Sequence, residues 1–128
     1  MDFRGRECDV ERIERIAREH RLGLLVDASH AFARSHKGRT IGSFGDAEVF
    51  SFHATKFVNT FEGGVVVTND STVAKNIRLM RNFGFAGFDN ITCLGPNGKS
   101  NEVCAAMGLK TLDSLDEFVA ANRRNYEQ

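Results

Sequence analysis

The sequence contains no tryptophan, only one proline and one tyrosine, and no excess of either charge. Its 17 basic residues balance 17 acidic ones, so no net field favours nucleic acid or an anionic membrane surface. The 3 cysteines are widely spaced and form no CxxC pair, which argues against a disulfide framework or a structural zinc site and is typical of a reducing compartment. No long apolar run occurs, and residues 1–6 lack the apolar core of a signal peptide. These absences predict a soluble, cytoplasmic protein without a metal, nucleic-acid or membrane partner.

The 128 residues suit one small domain, residues 1–128, with a real hydrophobic core. Phenylalanine supplies most of the aromatic content, with 11 residues. Packing in that core is the favoured interpretation for most of these rings, ahead of stacking on a ligand.

The first half of the chain has the pattern of an α/β protein. Asp9 is expected to cap a helix that continues to about His20, because apolar residues recur at helical spacing after it. Residues 24–26 then predict a buried strand, and a helix leading into an apolar strand is typical of α/β folds. Further strands are expected over residues 47–52 and 64–68, the second from its run of valines.

The second half is predicted to be mostly helical. A helix is expected to about Asn82, where Gly84 ends it. Residues 85–100 are rich in glycine and asparagine without periodicity, and predict a long loop. A helix then begins at Ser100, and residues 116–128 form the last one. The buried face of the helix after Ser100 is expected to consist of Ala105, Ala106, Leu109, Leu112 and Leu115.

Lys56 is the residue to which the sequence gives the clearest chemistry. It follows the strand predicted over residues 47–52 and has phenylalanines on both sides, so its amine is expected to be partly buried. Burial disfavours the charged ammonium and favours the neutral amine, which is the nucleophile that forms Schiff bases. A lysine after a strand is more often an ordinary surface residue, and that alternative stays open. Ser51 and Thr55, close to it in sequence, are either turn hydroxyls or phosphate ligands.

Asp27 offers a carboxylate at the end of the other early strand. It either caps the turn that follows or pairs with a protonated ring nitrogen, and the residues alone leave both roles open. His30 lies near the same surface, and taken alone is more often structural than a ligand. Residues 62–64 predict a turn whose glycines would also let the backbone pass close to a cofactor. An amine and a carboxylate at two strand ends are what a pyridoxal phosphate enzyme requires, so Lys56 and Asp27 predict such a site.

Four segments of the sequence occur in an order that resembles a known family. They are DASHA at 27–31, GSFGD at 42–46, FSFHATK at 50–56 and EGG at 62–64. In this order they resemble the DegT/DnrJ/EryC1/StrS family of pyridoxal-phosphate sugar aminotransferases, and residues 95–109 are similar to that family's loop-and-helix segment. Each segment alone is a weak signal, but the ordered set is strong and covers nearly the whole chain.

The resemblance implies a fold and an activity. The fold class is α/β, as part of the three-layer α/β/α large domain of a fold type I, aspartate-aminotransferase-like enzyme. Members of the family work as homodimers with shared active sites. They transfer an amino group, commonly from glutamate, to a keto-deoxy sugar attached to a nucleotide, with pyridoxal 5′-phosphate as cofactor.

The resemblance also implies roles for individual residues. Lys56 matches the lysine that forms the Schiff base and carries protons between the amino donor and the cofactor. Asp27 matches the partner of the pyridine nitrogen, and His30 stands where a glutamine or histidine lies near the ring oxygen of the cofactor. Ser51 matches a phosphate ligand. Asn97 matches an asparagine that reaches the phosphate of the neighbouring subunit's cofactor.

Some features of the family are missing from the sequence. Its longer members begin with a Gly-Thr phosphate turn and an aromatic residue that stacks on the ring, and they end in a smaller domain. The chain is therefore expected to be a middle section of the large domain. Pro96 and Lys99 stand near positions where the family often has tyrosine and arginine. The alternative is a non-catalytic or regulatory fragment that keeps the fold, whereas a Rossmann domain is disfavoured because no GxGxxG follows a strand.

Overall fold

Helices and short strands alternate along residues 8–128, the part of the chain that the structure, a computed structural model, describes. Residues 1–6, which are predicted not to form a signal peptide, lie outside the described residues. The elements are α1 (Val10–His20), β1 (Leu25–Asp27), β2 (Ser35–His36), β3 (Arg39–Thr40), β4 (Ala47–Ser51), β5 (Gly64–Val67), α2 (Ser71–Met80), β6 (Phe85–Gly87), β7 (Asn90–Ile91), α3 (Glu102–Asp113) and α4 (Leu115–Glu127). Within residues 8–128, no helix combines the length and the apolar character needed to cross a membrane.

A three-stranded sheet in the order β1–β4–β5 organises the first half. β1 and β4 run parallel, with Asp27 opposite Val49, and β5 pairs antiparallel with β4. The three predicted strands are therefore confirmed, each to within two residues. β1 lies at the edge of the described sheet, where Val26 is buried but Leu25 is exposed, so the prediction of a buried strand holds for only part of it.

The helices begin where short polar side chains cap them. Asp9, Asp70 and Asn101 each accept a hydrogen bond from a backbone N–H of the first turn, at 3.1, 2.7 and 2.8 Å. Such caps satisfy backbone donors that have no partner within the helix. The cap predicted at Asp9 is confirmed. The third helix starts at Glu102 after Asn101, slightly later than the predicted start at Ser100.

The hydrophobic core lies between the sheet, α1 and the segment that follows β1. Phe50 of β4 is buried there, and Phe32 contacts it edge to face, with ring centroids 5.7 Å apart. Phe88, in contrast, is fully exposed, so the prediction of core packing holds for only some of the phenylalanines. The buried members of this core are Val10, Val26, Ala28, Ala31, Ile41, Phe44 and Phe50.

The predicted buried face of the helix after Ser100 is wrong. Leu109 is 69% exposed, whereas Cys104 and Thr111 are buried. The side of the helix that packs is narrow and consists of small residues. Gly108 lies close to Thr60, and the hydroxyl of Thr111 donates to the carbonyl oxygen of Asn59 at 3.1 Å. Apolar residues on several sides of a helix do not reveal which side is covered, and the sequence pattern pointed to the wrong one.

The long loop predicted over residues 85–100 contains a hairpin. β6 and β7 pair antiparallel through Phe85 and Ile91, with an irregular register between Phe85 and Gly87. Asp89 has a φ of 54° at the turn, a left-handed conformation that aspartate tolerates better than most residues. Strands this short carry too few residues for an alternating pattern, which explains why periodicity did not reveal them.

Candidate functional site

The carboxyl ends of β1 and β4 form the edge of the sheet at which the predicted residues gather. The parallel pairing brings Asp27 to the end of β1 and Ser51 to the end of β4 on the same side. The N–H of Ala28 donates to the carbonyl oxygen of Val49 at 2.9 Å, which extends this pairing beyond Asp27. Ligands of open α/β sheets bind at the carboxyl ends of parallel strands, so the edge is the place to look for a site.

Asp27 presents an ionised carboxylate at this edge. Its Oδ1 accepts hydrogen bonds from the hydroxyl of Ser29 at 2.5 Å and from the N–H of Ser29 at 3.0 Å. These two hydrogen bonds, hydroxyl first, lower the pKa of Asp27 below its ordinary value, and the nearby His30 lowers it further. The turn-capping role is therefore present. It leaves the second role possible, because Oδ2 takes no part in either hydrogen bond.

Lys56 lies in the turn that leaves β4, and its amine reaches back towards the segment after β1. Its Nζ is 3.2 Å from Nδ1 and 3.3 Å from Nε2 of His30. The side chain is partly buried, as the sequence predicted. The turn is fixed by hydrogen bonds from the N–H of Lys56 to His53 and from Asn59 to the carbonyl oxygen of Lys56. The structure thus brings the Lys56 amine next to the imidazole of His30.

His53 supports the turn that carries Lys56. The N–H of Thr55 donates to Nδ1 of His53 at 3.2 Å, so Nδ1 is an acceptor and the ring proton lies on Nε2. Nε2 in turn faces Oε1 of Glu62 at 3.4 Å. The N–H of His53 also donates to the hydroxyl of Ser51 at 3.3 Å. These contacts give His53 a structural role in this turn.

The glycine pair after Glu62 serves the protein's own backbone. A side chain at Gly63 would collide with the hydroxyl of Thr60, and one at Gly64 would lie 2.9 Å from the carbonyl oxygen of Phe50. The predicted turn into β5 is thus confirmed, and the absence of side chains lets the backbone approach other parts of the chain closely.

Asn97 lies away from this edge, on the segment that follows the β6–β7 hairpin. It pairs with Asn82 in an isolated β-bridge, and its Oδ1 accepts from Nζ of Lys99 at 2.7 Å. Lys99 also lies over the ring of Phe83, 4.3 Å from its centroid. Asp27, His30, Ser51 and Lys56 share one edge, whereas the described contacts of Asn97 are with this other part of the chain.

The sequence reasoning missed Glu48, a buried carboxylate in the middle of β4. Only 1% of Glu48 is exposed. Its Oε1 accepts from the N–H groups of Gly42, at 2.9 Å, and Phe44. Glu48 therefore fixes the loop that leads into β4. The signal was an acidic residue within an otherwise apolar strand, which implies buried donors somewhere close in the fold.

Glu14 of α1 holds the same loop from the other side. Its Oε1 accepts from the N–H of Gly45 at 2.9 Å, and its carboxylate pairs with Arg39 at 3.2 Å. Burial alone would raise the pKa of Glu14, but the hydrogen bonds from Gly45 and Arg39 and the charge of Arg39 lower it overall. Glu14 thus stays ionised where it is needed as an acceptor.

The donor set at the edge fits pyridoxal phosphate chemically. The cofactor needs a primary amine for its aldehyde, an ionised carboxylate for its ring nitrogen and donors for its phosphate. Lys56 supplies an amine held against His30, and Asp27 supplies a carboxylate with a lowered pKa. The hydroxyl of Ser51 accepts from His53, which leaves the proton of that hydroxyl available to an anion.

The sequence of the chain matches one family model and several known proteins. The model of the DegT/DnrJ/EryC1/StrS aminotransferase family matches residues 1–128. A dTDP-4-amino-4,6-dideoxy-D-glucose transaminase of Shigella dysenteriae is 41% identical over 90% of this chain and 31% of its own length. A GDP-perosamine synthase of Escherichia coli O157:H7 is 36% identical over 93% of the chain and 33% of its own length.

The fold is shared with solved structures of similar proteins. DesI, crystallised in the presence of its TDP-sugar product, superposes with a TM-score of 0.89 at 49% identity. The match covers 97% of this chain and 32% of DesI. The α/β fold class predicted from the sequence is therefore confirmed, as is its relation to a larger aminotransferase fold. The chain spans about a third of the length of the relatives that it matches.

Proposed function

Because the chain belongs to the DegT/DnrJ/EryC1/StrS aminotransferase family, we propose that it forms the lysine-bearing part of a pyridoxal-phosphate aminotransferase. The observation that carries the proposal is the contact of the Lys56 amine with His30, beside the ionised carboxylate of Asp27. When bound, the cofactor supplies an electron sink that stabilises a carbanion at the carbon bearing the amino group.

The residues at the sheet edge would hold this cofactor. Lys56 would bind its aldehyde through Nζ, and Asp27 would keep the ring nitrogen protonated through charge pairing. Ser51 would donate a hydrogen bond to the phosphate. Once Lys56 is released from the aldehyde, its amine can take up and return a proton, and the adjacent ring nitrogens of His30 would orient it. Asn97 would contact the cofactor phosphate of a second copy of the chain.

The substrates proposed are an amino donor, glutamate, and a keto-deoxy sugar linked to a nucleotide. The names of the relatives support this class, because one is a transaminase for a dTDP-linked sugar and another a GDP-perosamine synthase. A cytoplasmic location is proposed with it, since Cys8, Cys93 and Cys104 are all free thiols.

Trapping the cofactor tests the proposed role of Lys56. The chain is mixed with pyridoxal phosphate, reduced with borohydride, digested and analysed by mass spectrometry. Label concentrated on Lys56 supports the proposal, and Lys37, Lys75, Lys99 and Lys110 serve as internal controls. Label spread evenly over these lysines, with none preferred at Lys56, contradicts it.

A matched pair of variants separates cofactor binding from amino transfer. Lys56→Arg keeps the charge but cannot form the imine, so its labelled peptide should disappear, whereas Lys75→Arg on the exposed side of α2 should change nothing. Addition of glutamate to the loaded chain should shift the absorbance of the cofactor to that of its amine form. Trapping without that shift would favour the alternative of a non-catalytic fragment.

We also infer that the β6–β7 hairpin belongs to an interface between two copies of the chain. Phe88 at its tip is fully exposed and Leu94 just after it is 92% exposed, so the hairpin presents apolar surface that a second copy would cover. Phe88→Ser should lower the mass measured by light scattering, whereas Leu22→Ser, an exposed apolar residue after α1, should not. Equal masses for all three proteins at every concentration would contradict this interface.

A further inference from the structure

A cavity of about 530 Å³ lies between the segment that follows β1 and helix α4. Its volume falls within the range of roughly 300–1,000 Å³ that is typical of pockets for small molecules. Side chains from both walls line it, principally His30, Arg34, Phe57, Asn122, Arg123 and Tyr126.

The cavity borders the candidate site through His30. The imidazole that lines the cavity is the one that lies 3.2 Å from Nζ of Lys56. Phe57, the next residue after Lys56, lines it as well. A ligand in this cavity would therefore end beside the Lys56 amine, without occupying the positions of Asp27 or Ser51.

The charge of the lining is of one sign. Arg34 and Arg123 are its two permanent cations, and the side chains of residues 8–128 that line it include no carboxylate. Arg123 takes part in none of the ion pairs found within residues 8–128. Guanidinium groups bind phosphate and carboxylate through two parallel hydrogen bonds, so this lining suits an oxyanion. Ser35 and Asn122 add neutral polar groups.

We propose that this cavity is a subsite for an oxyanion of the substrate, held by Arg123 next to Lys56. The inference rests on the proposed function, which supplies two substrates with such groups, the carboxylates of the amino donor and the diphosphate of the nucleotide. The exposed ring of Tyr126 and the ring of Phe57 offer apolar surface beside the cations for the remainder of the ligand.

Binding measurements on neighbouring arginines test the subsite. The isotope-labelled chain is titrated with dTDP and, separately, with glutamate, and affinities are taken from NMR shifts. Arg123→Gln removes a charge-assisted interaction and should weaken binding about tenfold. Arg124→Gln, the adjacent residue of α4 that does not line the cavity, should leave the affinity within about twofold, as expected for an exposed charge.

The two ligands identify the source of the oxyanion. Tenfold weakening for dTDP assigns the subsite to the diphosphate, and the same weakening for glutamate assigns it to the carboxylate. Equal effects of Arg123→Gln and Arg124→Gln, or no effect of either, overturn the subsite.

Trapping at Lys56 in the same variants keeps this result separate from the proposed function. Arg123→Gln should still be labelled at Lys56, because the arginine is not assigned to the cofactor. If Arg123→Gln weakens ligand binding but Lys56 is not labelled, the proposed function is overturned while the subsite stands. If Lys56 is labelled but Arg123→Gln binds the ligands as tightly as the unaltered chain, only the subsite is overturned.

Discussion

Residues 42–46 lead into β4 and residues 52–63 lead out of it, yet the groups that hold these two segments differ. The first segment, the entry loop, is held by two carboxylates. Glu14 is distant from it in sequence, and Glu48 is buried. The second, the exit loop, is held mainly by contacts among its own residues, such as that between His53 and Thr55. Several side chains of the exit loop remain exposed, including Phe61.

This difference separates scaffold from site. The buried acceptor Glu48 makes the entry loop costly to move, because the N–H of Phe44 would lose its partner away from water. Local hydrogen bonds at a surface cost little to break and leave polar groups open to a ligand. Lys56 lies in the exit loop, at the end of a strand whose start is fixed by the entry loop, so its backbone is positioned while its amine stays accessible.

Glu48→Ala should break the entry loop with the largest effect. The change leaves the N–H groups of Gly42 and Phe44 without an acceptor, and the expected loss in the free energy of unfolding is about 3 kcal/mol. Urea titration followed by circular dichroism measures it. Glu48→Gln keeps the side-chain volume and one oxygen acceptor and should lose less; equal losses for the two variants would show that the oxygen kept by glutamine contributes nothing, which contradicts this role of the hydrogen bonds.

A glycine from each loop sharpens the comparison. Gly45 has a φ of 62°, and a Cβ there would lie 2.7 Å from the carbonyl oxygen of Leu24, so Gly45→Ala should cost about 2 kcal/mol. Gly63→Ala meets only the hydroxyl of Thr60 and should cost about 1 kcal/mol, through one displaced hydrogen bond. Thermal unfolding of both variants checks the order, and the reverse order would contradict the contrast between the loops.

His53→Ala should weaken only the exit loop. Its contacts to Thr55 and Glu62 lie at the surface, and their loss should cost less than about 1 kcal/mol of stability. Amide hydrogen exchange should speed up within residues 52–63 and stay unchanged in residues 42–46. Faster exchange in both segments would mean that they open as one unit.

Ser29→Ala should have the smallest effect, on the titration of Asp27. The hydroxyl of Ser29 is the main cause of the lowered pKa of Asp27, so its removal should raise that pKa towards the ordinary value of 3.8. Because the pKa of Asp27 is lower in the folded protein, its ionised carboxylate stabilises the fold at pH values above the pKa of the unfolded chain. This stabilisation is lost as the pH falls through the pKa of the folded protein. Carboxyl NMR titration measures the shift; Ser100→Ala, in the segment before α3, is the control and should leave it unchanged.

The placement of the candidate residues at the sheet edge was predictable because they follow apolar runs. Asp27 and Lys56 each come after a strand that composition reveals, and adjacent parallel strands present such residues on one side. The cap at Asp9 was predictable for a similar reason, since it depends on the residues next to it.

The remaining features depend on contacts between distant residues. Thr111 packs because Asn59 lies opposite, and nothing near Thr111 in sequence indicates that partner. The cavity likewise needs α4 to lie against the segment after β1, so the sequence did not indicate that Arg34 and Arg123 line the same cavity. Glu48 alone gave a hint, as a carboxylate between apolar neighbours, but the donors that it binds could be identified only in the structure.

The reversal of direction between β4 and β5 has a consequence for how such a protein can diversify. Because β5 runs back along β4, Ser51 and Gly64 are paired, and both ends of the intervening segment are anchored at one rim of the sheet. Residues can be inserted into or removed from that segment at a small entropic cost and with no change in how the strands align. Descendants of this chain could therefore change the surroundings of the Lys56 amine while the paired strands beneath it stay the same.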